Sequence, residues 1–139
     1  MSRLTRKLCG ETEGETVSIS VLIAEDELNI AESLRFILER ENCQVRHAAD
    51  GEKALQEART KAPDVMILDV MLPSLNGFDV LKTIRADESL RQIPVLILTA
   101  KGQSQDRRTA DDLGADAFVT KPFANADIVS EVLRLGSGK

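Results

Sequence analysis

The chain has 139 residues, a net charge of −5 and a pI near 5.0, and 42% of its residues are hydrophobic while 29% are charged. This length suits one domain with a core large enough to fold unaided, and the composition is that of an ordinary globular protein. The acidic balance argues against a nucleic-acid-binding surface. Because no apolar run could span a membrane and the N-terminus lacks an apolar signal stretch, we expect no membrane contact and a cytoplasmic location.

Short apolar runs alternate with helical patterns along the chain. The runs predict β-strands at 18–24, 44–48, 65–69, 93–99 and 116–120. Apolar residues spaced on one helix face predict helices at 29–41, from 51 to just before Pro63, and at 78–86, 104–113 and 125–135. This alternation indicates an α/β fold, in which a doubly wound parallel sheet is covered by helices on both faces. The single histidine, His47, falls in the short second strand, and we expect it to be a solvated edge residue.

The pattern contains one hydrophobic unit, so we expect one domain at 17–135. Residues 1–16 are polar with little helical spacing, which favours a flexible extension. Residues 136–139 are rich in Gly and Ser and are expected to form a frayed tail. Because only these four residues follow Leu135, no second domain is expected after it within the chain. We therefore expect either a protein that acts as a single domain or one domain of a longer protein.

The stretch around Asp69 is the centre of the functional hypothesis. Its apolar lead, 65–68, is typical of a strand buried on both faces of a parallel sheet. In such sheets ligands bind outside the carboxyl ends of the strands, so Asp69 is a candidate for chemistry. A lone Asp at a strand end more often caps the next turn, and this structural interpretation stands until other residues join the site.

Other polar residues do occupy the equivalent ends of other strands. Glu25 and Asp26 follow the first strand, Asp69 ends the third, Thr99 ends the fourth and Lys121 follows the fifth. These ends meet if the first and third strands are neighbours at the switch point of the sheet. Carboxylates about 4 Å apart repel by roughly 4 kcal/mol, so three in one pocket favour a divalent cation. Oxygen-only ligands suit Mg²⁺ better than Zn²⁺.

In these motifs the chain resembles the receiver domain of bacterial two-component response regulators. The resemblance covers about 17–135, and it rests on Glu25-Asp26, on Asp69 within Leu-Asp-Val-Met-Leu-Pro, on Asn76-Gly77, on Thr99-Ala100 and on the run Gly-Ala-Asp-Ala-Phe-Val-Thr-Lys-Pro-Phe at 114–123. It implies a flavodoxin-like sheet of five parallel strands in the order 2-1-3-4-5. It also implies a phosphoacceptor signalling module, which assists its own phosphorylation and dephosphorylation and is not an enzyme.

The resemblance assigns the chemistry to Asp69, which would accept a phosphoryl group from a sensor histidine kinase or a histidine phosphotransfer protein. It places Mg²⁺ on Glu25, Asp26, Asp69 and the backbone carbonyl of Met71. The first acid of the pair is Glu where Asp also occurs in the family, so we expect Asp26 to coordinate the metal directly and Glu25 to act through water.

The resemblance also assigns a switch. Lys121 would pair with one phosphoryl oxygen, and Thr99 would donate its hydroxyl to another. Phe118 would then swing inward, which would change the face formed by the fourth helix, fifth strand and fifth helix. Phe replaces the commoner Tyr at this position, so a hydroxyl contact with a partner is absent. The peptide bond before Pro122 is expected to be cis, as it usually is in the family. We expect the changed face to bind a downstream protein, an output domain of the same protein or a second copy of the chain.

Other functions stay open at this level. A phosphohydrolase with an Asp nucleophile usually carries a second Asp two residues further on, where this chain has Met71. A nucleotide-binding domain would need a Gly-rich phosphate loop after the first strand, where Glu25 and Asp26 would instead repel an anion. A receiver-like domain that signals without phosphorylation is a further alternative. The residues do not identify the pathway, the cognate kinase or the phosphoryl lifetime.

Overall fold

The computed structural model describes residues 18–100 and 104–137. Within these residues the chain forms five strands and five helices in strict alternation. The strands are β1 Ser20–Ala24, β2 Gln44–Ala48, β3 Val65–Asp69, β4 Val95–Ala100 and β5 Ala117–Lys121. The helices are α1 Leu28–Glu39, α2 Gly51–Thr60, α3 Gly77–Ala86, α4 Ser104–Asp112 and α5 Asn125–Ser137. No helix among the described residues is long and apolar enough to cross a membrane.

The strands form one parallel sheet in the order β2-β1-β3-β4-β5, which confirms the predicted topology. All five residues of β3 are buried, as its apolar sequence predicted for a central strand. Pairing aligns Ala24 of β1 with Leu68 of β3 and Asp69 with Leu98 of β4. The carboxyl ends of these three strands therefore lie side by side.

Each face of the sheet has its own hydrophobic core, because successive side chains of a strand point to opposite faces. One core joins the sheet to α2 and α3 and includes Leu22, Met66, Leu68, Leu81, Ile84 and Ile97. The other joins it to α1 and α5 and includes Ile23, Leu34, Leu38, Ile67, Leu96 and Val132. A fully buried side chain of this kind contributes about 1.5–3 kcal/mol, so the two cores provide the main stabilisation.

The last helix, α5, continues to Ser137. The prediction of a frayed tail at 136–139 was therefore wrong at residues 136 and 137. Gly136 packs against Ile19, and a Cβ atom at Gly136 would lie 2.7 Å from Cγ2 of Ile19. Glycine at this position keeps the helix close to the sheet, so the Gly-Ser composition does not end it. Residues 138–139 and the predicted extension at 1–16 lie outside the described residues.

The turn that follows β3 depends on Asn76 and Gly77. The Asn76 side chain caps α3 by accepting a hydrogen bond from the Asp79 N–H at 3.0 Å. Gly77 does not serve the turn through a left-handed backbone, because among the described glycines only Gly114 has a positive φ. Space is the actual requirement, because a Cβ atom on Gly77 would lie 2.4 Å from the carbonyl oxygen of Asp69. Gly77 thus lets α3 begin directly against the strand end that carries Asp69.

Replacing Gly77 by Ala should lower the free energy of unfolding by about 1–3 kcal/mol, the usual cost of forcing a methyl group into a packed site. The atoms that must move are backbone atoms of Asp69 and Val70, so relaxation is difficult. Urea denaturation followed by circular dichroism measures the change. Lys82→Ala, on the exposed side of the same helix, is the control and should leave stability nearly unchanged. Equal stability of the two variants would contradict the close approach.

Candidate functional site

The predicted polar residues meet at the carboxyl edge of the sheet. Carboxylate oxygens of Glu25, Asp26 and Asp69 all lie within 4.8 Å of one another. The Lys121 ammonium lies 3.1 Å from Oε1 of Glu25 and 3.4 Å from Oδ1 of Asp69. The structure thus brings together four of the five predicted strand-end residues. The hydroxyl of the fifth, Thr99, is hydrogen-bonded to a different element.

Burial differs strongly among the three acids. Glu25 is fully buried and Asp69 is 2% exposed, whereas Asp26 is exposed at the mouth of the site. Oε2 of Glu25 accepts a hydrogen bond from the Glu27 N–H at 3.0 Å. Oε1 of Glu25 faces the Lys121 ammonium without hydrogen-bond geometry, and it is the one buried side-chain polar atom in the described part of the chain without a hydrogen-bond partner. A buried, incompletely satisfied carboxylate oxygen is suited to hold a cation or a water bound to one.

Charge in this pocket is unbalanced. Burial, together with the nearby charge of Asp69, raises the pKa of the Glu25 carboxyl, although the Glu27 N–H and Lys121 oppose the change. Burial alone would lower the pKa of Lys121, but the charges of Asp69 and Glu25 outweigh it and raise that pKa. Three carboxylates facing one ammonium leave an excess of two negative charges when all are ionised. This excess and the all-oxygen ligand set fit a divalent cation such as Mg²⁺.

The Asp69 carboxylate is held from two sides. Its Oδ1 accepts hydrogen bonds from the Lys121 ammonium and from the Met71 N–H, each at 3.4 Å. The hydrogen bonds between β3 and β4 continue past Asp69, because the Val70 N–H donates to the Leu98 carbonyl at 3.0 Å. The side chain of Met71 itself is 71% exposed, so this residue contributes backbone groups to the site.

The peptide bond between Lys121 and Pro122 is cis, as the resemblance implied.

The two predicted switch residues both contact α4. Thr99 is 2% exposed, and its hydroxyl donates to Oδ2 of Asp106 at 2.9 Å. Phe118 is half-buried and packs against the core on the α2 and α3 face, with the Arg107 guanidinium 5.3 Å from its ring centre. Neither Asp106 nor Arg107 was predicted to contact these residues. No sequence signal indicated these contacts, because the polar pattern of α4 is that of any exposed helix.

His47 lies on an edge strand as predicted, but the prediction that its side chain is solvated was wrong. It is half-buried, and its Nε2 lies 2.7 Å from the backbone carbonyl oxygen of Glu25. A carbonyl only accepts hydrogen bonds, so this ring nitrogen carries a proton and donates. The Glu25 N–H in turn donates to the Ala48 carbonyl at 3.1 Å. The end of β2 therefore fixes the backbone from which the first acid of the site projects.

Replacing Glu25 by Gln should stabilise the metal-free protein at pH 7, because burial and the charge of Asp69 raise the pKa of Glu25 and so disfavour its ionised form. The pKa of Glu25 is higher in the folded protein than in the unfolded chain, so protonation of Glu25 stabilises the fold. This contribution to stability is fully present below the ordinary pKa of 4.5 and is lost as the pH rises through the higher pKa of the folded state. The difference between variant and wild type should therefore grow from acidic to neutral pH. Urea denaturation in the presence of a chelator measures it.

Glu88→Gln, in the exposed connection before β4, is the matched control and should show no such pH trend. A Glu25→Gln variant that is less stable than wild type at pH 7 without metal would show that the ion pair with Lys121 outweighs the cost of burial.

Known proteins resemble this chain in both sequence and structure. The family model of the response regulator receiver domain matches residues 21–133. The chain is 41% identical over 112 residues to the alkaline phosphatase synthesis transcriptional regulatory protein PhoP of Bacillus subtilis. The aligned region covers 81% of this chain and 46% of that protein. The chain thus spans about half the length of this curated relative.

Two solved structures share the fold over nearly their whole length. The receiver domain of the Francisella response regulator 1452 has a TM-score of 0.81 and 30% sequence identity, and covers 87% of this chain and 98% of that one. The chemotaxis response regulator CheY4 of Vibrio cholerae has a TM-score of 0.80 and 28% sequence identity, and the match covers 86% of this chain and 99% of that one. With the fold and the acidic site in agreement, the chain belongs to the receiver-domain family of two-component response regulators.

Proposed function

We propose that Asp69 is the phosphoacceptor of this receiver domain. The supporting observation is its position: a carboxylate that is 2% exposed lies 3.4 Å from the Lys121 ammonium and beside two further carboxylates. An oxygen of Asp69 attacks the phosphorus of a phosphohistidine, an O–P bond forms, the P–N bond breaks and the imidazole leaves. The product is an aspartyl phosphate, and later attack of water on phosphorus returns the carboxylate and inorganic phosphate.

The three acids of the pocket are proposed to hold Mg²⁺ together with one backbone carbonyl. Asp26, Asp69 and the backbone carbonyl of Met71 would bind it directly, and Glu25 would bind it through water. When bound, Mg²⁺ supplies positive charge opposite the transferring phosphoryl group. The uncompensated negative charge of the pocket and the unsatisfied Oε1 of Glu25 support this assignment.

Lys121 and Thr99 are proposed to stabilise the phosphoryl group after transfer. The Lys121 ammonium already lies 3.4 Å from Asp69 and would pair with one phosphoryl oxygen. The Thr99 hydroxyl would donate to another, which requires it to leave its present acceptor. Phe118 would then move inward and alter the face formed by α4, β5 and α5. Shifting the domain from about 1:99 to 99:1 active would take roughly 5.5 kcal/mol of differential stabilisation.

Receiver domains of response regulators interact with histidine kinases and with output domains, and they are usually not enzymes. For this chain we propose a histidine kinase or phosphotransfer protein as donor, and a downstream protein, an output domain or a second copy as the partner of the switching face. We further propose that this domain assists its own phosphorylation and dephosphorylation, in which case small phosphodonors should also serve. Family membership supports the cytoplasmic location expected from the sequence. The phosphohydrolase alternative is disfavoured, because Met71 supplies no acid or base two residues after Asp69.

Incubation with acetyl phosphate and Mg²⁺ should add about 80 Da, one phosphoryl group, to the intact mass of the wild type. Asp69→Asn should remove this addition, because an amide is a poor nucleophile towards phosphorus. Asp112→Asn, exposed at the end of α4, should retain it. Equal labelling of wild type and Asp69→Asn would contradict the assignment of the acceptor.

Magnesium should stabilise the wild type by about 2.7 kcal/mol at 100 times its dissociation constant, since it binds the folded state. Asp26→Asn removes one ligand charge and should weaken binding about tenfold, so that roughly 1.4 kcal/mol of this stabilisation is lost at the same concentration. Urea denaturation at increasing Mg²⁺ concentration measures both effects. An unchanged magnesium response in Asp26→Asn would place the ion elsewhere.

A further inference from the structure

The hydroxyl of Thr99 is already engaged in this structure. It donates its proton to Oδ2 of Asp106 at 2.9 Å, in a largely buried position. Asp106 belongs to the first turn of α4, so the bond joins the end of β4 to the start of that helix. Hydrogen bonds of a hydroxyl to an ionised carboxylate are among the stronger ones in proteins.

A threonine hydroxyl has one proton to donate. While that proton is donated to Asp106, it is not available to a phosphoryl oxygen on Asp69. The bond between Thr99 and Asp106 must therefore break before Thr99 can take the role proposed above. Asp106 and the phosphoryl group are competing acceptors for the same proton.

We propose that Asp106 is a positioning residue that holds Thr99 in the resting arrangement and sets how much free energy phosphorylation must supply to switch the domain. This inference rests on the proposed function of Asp69 and Thr99. A ligand shifts an equilibrium only by its differential affinity for the two states, so a bond present in the resting state alone lowers the apparent affinity for a phosphoryl group.

The neighbouring residue links the second switch position to the same helical turn. Arg107 lies over the ring of Phe118 at 5.3 Å from its centre, so consecutive residues of α4 contact Thr99 and Phe118. Few apolar contacts hold this helix, because Ala110 is its one fully buried residue among those described at 106–112. Release of Thr99 from Asp106 would therefore loosen the helical turn that also contacts Phe118.

Removing Asp106 would also remove a negative charge near an anionic phosphoryl group. This loss of charge would tighten the binding of a phosphoryl group even if Thr99 and Asp106 formed no competing hydrogen bond. The two effects separate in a variant that lacks the Thr99 hydroxyl. In Thr99→Val, which keeps the shape of the side chain, the competition no longer exists but the charge effect persists. A double-mutant cycle on these two positions therefore isolates the hydrogen bond.

The test is the apparent affinity for beryllofluoride, a phosphoryl mimic, in the presence of Mg²⁺. The chain has no Trp or Tyr, so amide NMR titration is preferred to intrinsic fluorescence. Asp106→Ala should tighten binding about tenfold, the equivalent of one hydrogen bond to a charged group. Asp106→Asn keeps an acceptor for Thr99 and should give a smaller change in the same direction, which preserves the test if the Ala variant does not fold. In the Thr99→Val background Asp106→Ala should change the affinity less than about twofold.

Asp111→Ala, which removes an exposed charge on the same helix, is the control and should also change the affinity less than about twofold. An unchanged affinity in Asp106→Ala, or an equal gain with and without the Thr99 hydroxyl, would overturn the competition while leaving Asp69 as acceptor. Failure of the wild type to respond to beryllofluoride would overturn the proposed function, and this inference with it.

Discussion

The site depends on an electrostatic constraint: three carboxylates share one pocket with a single ammonium. Glu25 and Asp69 are almost completely buried, so solvent screens their repulsion poorly, and oxygens within 4.8 Å repel by about 3 to 4 kcal/mol at an effective dielectric near 20. Lys121 compensates one of the three negative charges, and the charges of Asp69 and Glu25 raise the pKa of its ammonium group. A divalent cation would relieve the remaining repulsion and a phosphoryl group on Asp69 would reintroduce negative charge, so the proposed function would couple metal binding to phosphoryl transfer.

The fold supplies this arrangement because parallel pairing brings the ends of β1, β3 and β5 to one edge. Asp69 sits there at the end of a strand buried on both faces, and its backbone cannot shift to relieve repulsion. Gly77 allows α3 to begin against it, and His47 with Ala48 fixes the backbone of Glu25. The apolar cores thus provide the stability that a pocket of like charges requires.

Sequence patterns predicted the parts of this structure that local chemistry determines. Short apolar runs predicted the five strands, and polar residues at their ends predicted the cluster of Glu25, Asp26 and Asp69, because parallel strands end at a common edge. The contacts made by Asp106 and Arg107 were not predictable, since each joins residues from different elements and neither has a distinctive spacing. The roles of Gly77 and Gly136 were missed for a related reason: composition indicates flexibility, whereas the structure shows that these positions need space.

Locating the phosphoryl group within the chain would show whether Asp69 is the acceptor. After incubation with acetyl phosphate and Mg²⁺, borohydride reduction converts an aspartyl phosphate to homoserine, and peptide mass spectrometry then identifies the modified position. We expect homoserine at Asp69 and at no other aspartate. Modification of Asp26 or Asp64 with Asp69 intact would contradict it, because Asp69 would then not be the residue that accepts the phosphoryl group.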